Sequence, residues 1–130
     1  MGDRYHPLYE SLWGDVKFTR FADPWLARCF FAYLCSHHRT APAGLYAVTP
    51  EILAAETGKP LRWVQETLAR ASTEGLVRVQ DGVLWVVKYM GRQPNRKGEA
   101  YQRGVVAALK RLGLSHPLCQ AFLDTYKTLG

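Results

Sequence analysis

Between residues 59 and 70 of this 130-residue chain, Lys59, Arg62, Gln65, Glu66 and Arg70 recur at spacings that share one side of a helix. Gln and Arg offer paired hydrogen bonds to base edges in a major groove. The same types also coat any solvated helix, and Glu66 and Glu74 offset much of the charge. Arg78 and Gln80 follow in a β-branched run and suit backbone or minor-groove contacts. Lys88, Arg92, Arg96, Lys97 and Arg103 come next and are the stronger phosphate candidates. If several of them neutralise phosphates on duplex DNA, affinity should fall with salt at a slope of about −0.9 per contact.

Other chemistries find less support. His37 and His38 are adjacent on a loop and do not converge on one ion, and His6 and His116 lack ligand spacing, so no metal site is expected. Cys29 and Cys35 lie six apart on an apolar stretch with no neighbouring base to activate them, which reads as core. No phosphate-binding glycine loop, nucleophile elbow or paired-carboxylate arrangement occurs. A protein without catalysis and without a cofactor is expected.

The net charge of +6 is unevenly placed. Up to Val87, nine bases balance nine acids; from Lys88 onward eight bases face only Glu99 and Asp124. All the excess therefore follows residue 87, a footprint that fits phosphate contact better than mere solubility. The 48% apolar content suits a globular domain. No apolar run approaches the roughly 20 residues that span a bilayer, and the first residues carry no signal core. Three cysteines without a CxxC pair suggest reduced thiols, so a cytoplasmic protein is expected.

The elements that must position these residues can be read in order. Leu12, Trp13, Val16 and Phe18 suit either a short helix or an irregular segment laid on the core. Asp23-Pro24 opens a helix that runs apolar on almost every side to about Ser36, the expected central helix. Residues 37–44 form a loop, and Leu45 to Val48 a short strand. Thr49-Pro50-Glu51 caps a helix that buries Ile52, Leu53 and Ala55 and ends at Gly58. After a short turn, Leu61, Val64, Leu68 and Ala71 mark the next helix, with Pro60 in its first turn and Gly75 as its stop.

Asp81-Gly82 then joins two β-branched runs as a type I′ hairpin. With those two as the loop, Gln80 faces Val83, Val79 faces Leu84, Arg78 faces Trp85 and Val77 faces Val86. Val77, Val79, Leu84 and Val86 point into the core, and Arg78, Gln80, Val83, Trp85 and Val87 form the outer face. That face is too apolar to be simply solvated. Either the C-terminal segment covers it, or a second subunit does and Val83, Trp85 and Val87 become a self-association surface. Two amphipathic helices follow: Glu99 to Leu112, with Val105, Val106, Leu109 and Leu112 apolar, and one opened by Ser115-His116-Pro117, with Leu118, Phe122, Leu123 and Tyr126. The expectation is an α+β, mostly helical fold: a winged helix-turn-helix over residues 1–90 with a three-stranded sheet. Residues 91–130 form a basic linker and two C-terminal helices that pack on it or on a partner subunit.

Several stretches add a family likeness: Ser11-Leu12-Trp13-Gly14-Asp15, Phe30-Phe31-Ala32-Tyr33-Leu34, Ala43-Gly44-Leu45-Tyr46, residues 52–58, Gly75-Leu76-Val77, and Val86-Val87-Lys88-Tyr89 into Arg92-Gln93-Pro94-Asn95. With the helix from Gln102 to Val106, they make nearly the whole chain resemble the N-terminal winged-helix domain of phage replisome organisers and DnaD-like primosome components. The resemblance implies origin-DNA binding, self-association through this domain and help in loading the replicative helicase. In that family a separate C-terminal helical domain adds DNA and helicase contacts. The chain stops at Gly130 without one, so either it is a fragment or it does a reduced job. The expected function is DNA binding in replication initiation. A transcriptional regulator and an adaptor dimerising through the wing are the alternatives.

Overall fold

The computed structural model describes residues 10–37, 39, 43–89 and 97–126. Arg92 and Arg96, like His6 and His38, lie outside the described residues. Two short 3₁₀ helices, Glu10–Gly14 and Val16–Arg20, lead into α1 (Pro24–Cys35). The order continues β1 (Leu45–Ala47), α2 (Pro50–Thr57), α3 (Leu61–Thr73), β2 (Val77–Gln80), β3 (Val83–Val86), α4 (Glu99–Leu112) and α5 (Pro117–Tyr126). The strands form an antiparallel sheet in the order β1-β3-β2. Helix, strand, two helices and a hairpin closed by the first strand make the layout of a winged helix-turn-helix, within a mixed α+β fold.

Local chemistry sets the boundaries. The Asp23 carboxylate accepts from Leu26 N–H at 3.1 Å, and the Thr49 hydroxyl accepts from Ile52 N–H at 3.3 Å. Each cap satisfies one orphan donor and is worth about 1 kcal/mol. Asp81 (φ +48°) and Gly82 (φ +77°) both take the left-handed region that a type I′ turn requires. That turn fixes the register Gln80–Val83, Val79–Leu84, Arg78–Trp85 and Val77–Val86, as the sequence predicts.

The sheet has two apolar faces. Val77, Leu84 and Val86, with Val79 at the margin, pack against Phe30, Phe31 and Leu34 of α1, Leu53 of α2, and Val64 and Leu68 of α3. Phe30 meets Trp63 edge-on at 5.2 Å, tying α1 to α3. On the other face, Leu45, Val83 and Trp85 pack against Val105 and Leu109 of α4 and Leu118, Cys119 and Phe122 of α5. α5 is held at both ends. His116 Nδ1 accepts from Leu118 N–H (3.0 Å), so the proton on Nε2 points to the Asp81 carbonyl at the hairpin tip (3.4 Å). At the far end the Tyr126 hydroxyl donates to the Val87 carbonyl (3.2 Å).

Several expectations change. Val83 and Trp85 are 4% and 2% exposed within one chain, and Val87 is half-buried beneath the same cover. Their expected self-association role is therefore corrected: α4 and α5 already occupy that face, leaving a second copy little to bind. Leu61 is exposed, and Trp63 and Thr67 join Val64 and Leu68 inside. In α2 the half-buried alanine is Ala54, while Ala55 is exposed; in α4 Ala108 is buried and Val106 exposed. Trp25 is 65% exposed, so the start of α1 is not wrapped on every side.

Candidate nucleic-acid interface

The helix-turn-helix pair is α2 and α3, joined by residues 58–60. Val64, Thr67, Leu68 and Ala71 bury one stripe of α3, which turns Arg62, Gln65, Glu66, Ala69 and Arg70 outward. Two of the cations are paired along the helix: Arg62 Nε to Glu66 at 2.8 Å and Arg70 to Glu74 at 3.9 Å. Glu74 also receives Arg20 from the second 3₁₀ helix at 2.7 Å. The exposed Arg62–Glu66 pair contributes little and reopens readily for a stronger anion, whereas the Glu74 side chain is only 9% exposed between its two arginines. Lys59 lies over the Trp63 ring at 5.4 Å instead.

The wing supplies Arg78 and Gln80, exposed on the edge strand β2. They line a shallow groove with Ser72 and Gly75 at the end of α3, Val87, and Leu118 of α5. The Arg78 guanidinium lies 6.0 Å from the Trp85 ring centre, at the outer reach of a cation–π contact. The Trp85 Nε1 donor itself is buried without an acceptor among the described residues.

The phosphate candidates divide. Lys88 is exposed just after β3, and Lys97 is exposed just before α4. Arg103 is exposed on α4 and paired to Glu99 at 3.2 Å. Because α3 and α4 cover opposite faces of the sheet, Arg103 does not share a layer with Arg62 and Arg70. Lys110 and Arg111 of α4 are exposed and without an ion pair among the described residues, as are Lys88 and Lys97.

His37 has a role that sequence reading missed. Its ring is 2% exposed and stacks on Tyr46 at 5.2 Å. Nδ1 accepts from Arg39 N–H (3.0 Å), which leaves the Nε2 proton to reach Glu56 Oε1 at 2.6 Å. The Tyr33 hydroxyl donates to the same carboxylate oxygen. Burial, then the Glu56 hydrogen bond and charge, push the Tyr33 hydroxyl well above its usual value of 10.0. The cluster ties the end of α1 to the last turn of α2, next to the helix-turn-helix connection. Its partners are distant in the chain, so no local signal announces it. Among the described residues no group of three or more His, Cys, Asp or Glu side chains is placed to hold a metal ion, and no helix is long and apolar enough to cross a membrane.

No protein-family model matches the chain, and neither does any curated protein or any solved structure.

Proposed function

We propose that the chain is a duplex-DNA-binding protein that reads the major groove with α3 and steadies itself with the β2–β3 wing. The observation that carries this is the open outer face of α3, with Arg62, Gln65 and Arg70 exposed, beside an edge strand that presents Arg78 and Gln80. A helix of this kind fits the major groove, and Gln and Arg match its base edges. Lys88 and Lys97, together with Arg92 and Arg96 between them in sequence, contact phosphates; Arg103, on the opposite layer, is not part of this surface. Recognition is by binding alone, without catalysis. The resemblance to replisome organisers favours a role in replication initiation, with a helicase or its loader as further partner. A transcriptional regulator would use the same surface. Any homo-oligomer forms through a surface other than Val83 and Trp85.

Fluorescence anisotropy on labelled duplex across a salt series tests the reading. Replacing Arg62, Gln65 and Arg70 together by Ala is expected to cost at least about tenfold in affinity and to flatten the salt slope by about 2. Charge reversal at Arg92, Arg96 and Lys97 should weaken binding uniformly across sequences. Affinity unchanged in both variants at low salt overturns the proposal.

A further inference from the structure

Trp13 and Trp25 stack on each other at the surface, with ring centres 5.3 Å apart and planes at 28°. They are 47% and 65% exposed, and neither belongs to a buried cluster. Tryptophan carries the largest apolar surface of any side chain, so two exposed rings held together make an unusual expenditure for a folded domain. About half or more of each residue's surface remains open to solvent.

The surroundings say what fits there. Arg28 lies one turn after Trp25 on the same side of α1. Its guanidinium sits 5.6 Å over the buried Phe18 ring and donates to the Asp15 carbonyl at 3.4 Å, which holds it beside the segment that follows Trp13. Lys17 is in that segment. Neither Arg28 nor Lys17 has a carboxylate partner among the described residues. Two nearby acids point to backbone instead: Asp15 accepts from Lys17 N–H at 3.0 Å, and Asp23 accepts from Leu26 N–H. Exposed indole rings near cations that have no carboxylate partner among the described residues are complementary to a nucleotide whose base is free to stack. Bases inside a duplex present only their edges, so duplex DNA cannot use the rings.

We propose that the Trp13–Trp25 pair is a stacking platform for an unpaired base of single-stranded nucleic acid, with Lys17 and Arg28 taking the adjacent phosphates. The segment that carries Lys17 ends by α3: Arg20, three residues beyond Lys17, reaches Glu74 just after that helix. The inference rests on the duplex reading of α3 only for the placement of single strand beside double strand. Stacking itself needs no contact with α3.

The test compares fluorescein-labelled oligo(dT) with a duplex of equal length on the full chain. Replacing both tryptophans by Leu keeps apolar area and removes the π faces; replacing both by Phe keeps the faces. The Leu pair is expected to lose at least about fivefold in oligo(dT) affinity while the Phe pair stays within about threefold of wild type. Duplex affinity should be unchanged in both. Oligo(dT) binding unaffected by the Leu pair overturns the platform. So does a concentration-dependent dimer in sedimentation that the Leu pair abolishes while oligo(dT) binding persists, because the occupant is then a second copy. The Arg62, Gln65 and Arg70 variant, read on the duplex alone, separates failure of the α3 reading from failure of this one.

Discussion

The two faces of the sheet use alternate residues of the same strands and solve burial differently. The inner face is closed by α1, α2 and α3, which precede the hairpin in the chain. The outer face is closed by α4 and α5, which return after residue 97 and are pinned at His116 and Tyr126. The difference teaches that an apolar outer face on a wing is not by itself an interface. A chain with forty more residues can cover it, and self-association must then be sought elsewhere.

The comparison is sharpest at adjacent residues of β3. Leu84→Ala opens the inner face and Trp85→Ala the outer, with expected losses of about 2–5 and 3–5 kcal/mol in urea unfolding. If the layers form one cooperative unit, both variants shift a single transition. A separate early step in the Trp85 variant alone would show that α4 and α5 come away first. The Trp85 variant should also leave the sedimentation behaviour of the native protein unchanged, since the ring is covered within one chain.

Gly44→Ala tests where the layers meet. Gly44 has φ +77°, and an added Cβ would lie 2.5 Å from Tyr89 Cβ. Strain and overpacking together should cost about 2–4 kcal/mol. A smaller effect belongs to His116→Ala, which removes the cap of α5 and the contact with the hairpin tip; about 1 kcal/mol is expected by the same urea measurement.

The last prediction is silent at neutral pH. Tyr33 belongs to the inner layer and Tyr101 to the outer, and burial raises both hydroxyls far above the 10.0 they have in water; the Glu56 hydrogen bond and charge add to the rise at Tyr33, and neighbouring Tyr89 and Tyr126 at Tyr101. Between the unfolded and folded values the unfolded chain binds fewer protons, so stability falls as pH rises above about 10. Phenolate absorbance should show these two ionising only with unfolding. Tyr101→Phe alone blunting the alkaline loss would assign it to the outer layer.

Much of this was legible because local chemistry decided it. Asp81-Gly82 dictated the register, and alternation then sorted both faces. Asp23, Thr49 and Gly58 marked helix ends. What failed was the choice among neighbouring helical positions. Val106 and Ala108 are both apolar enough to bury, and the angle at which α4 docks selects Ala108. Trp25 sits within an apolar run but falls on a side of α1 that, among the described residues, is met by the Trp13 ring and left 65% exposed. In the candidate site, the exposed face of α3 was readable from periodicity. The separation of Arg103 from it was not, because it depends on α4 folding back across the sheet.

The clamp that α5 places along β3, from the Asp81 carbonyl to the Val87 carbonyl, has a mechanical corollary. A ribbon backed this way resists curling toward a ligand, so under the proposed duplex reading the work of conforming falls on the polynucleotide. Pliant steps such as TA and CA should then be preferred over stiff A-tracts even where no side chain reaches a base. Matched duplexes that differ only in those steps would measure the bias.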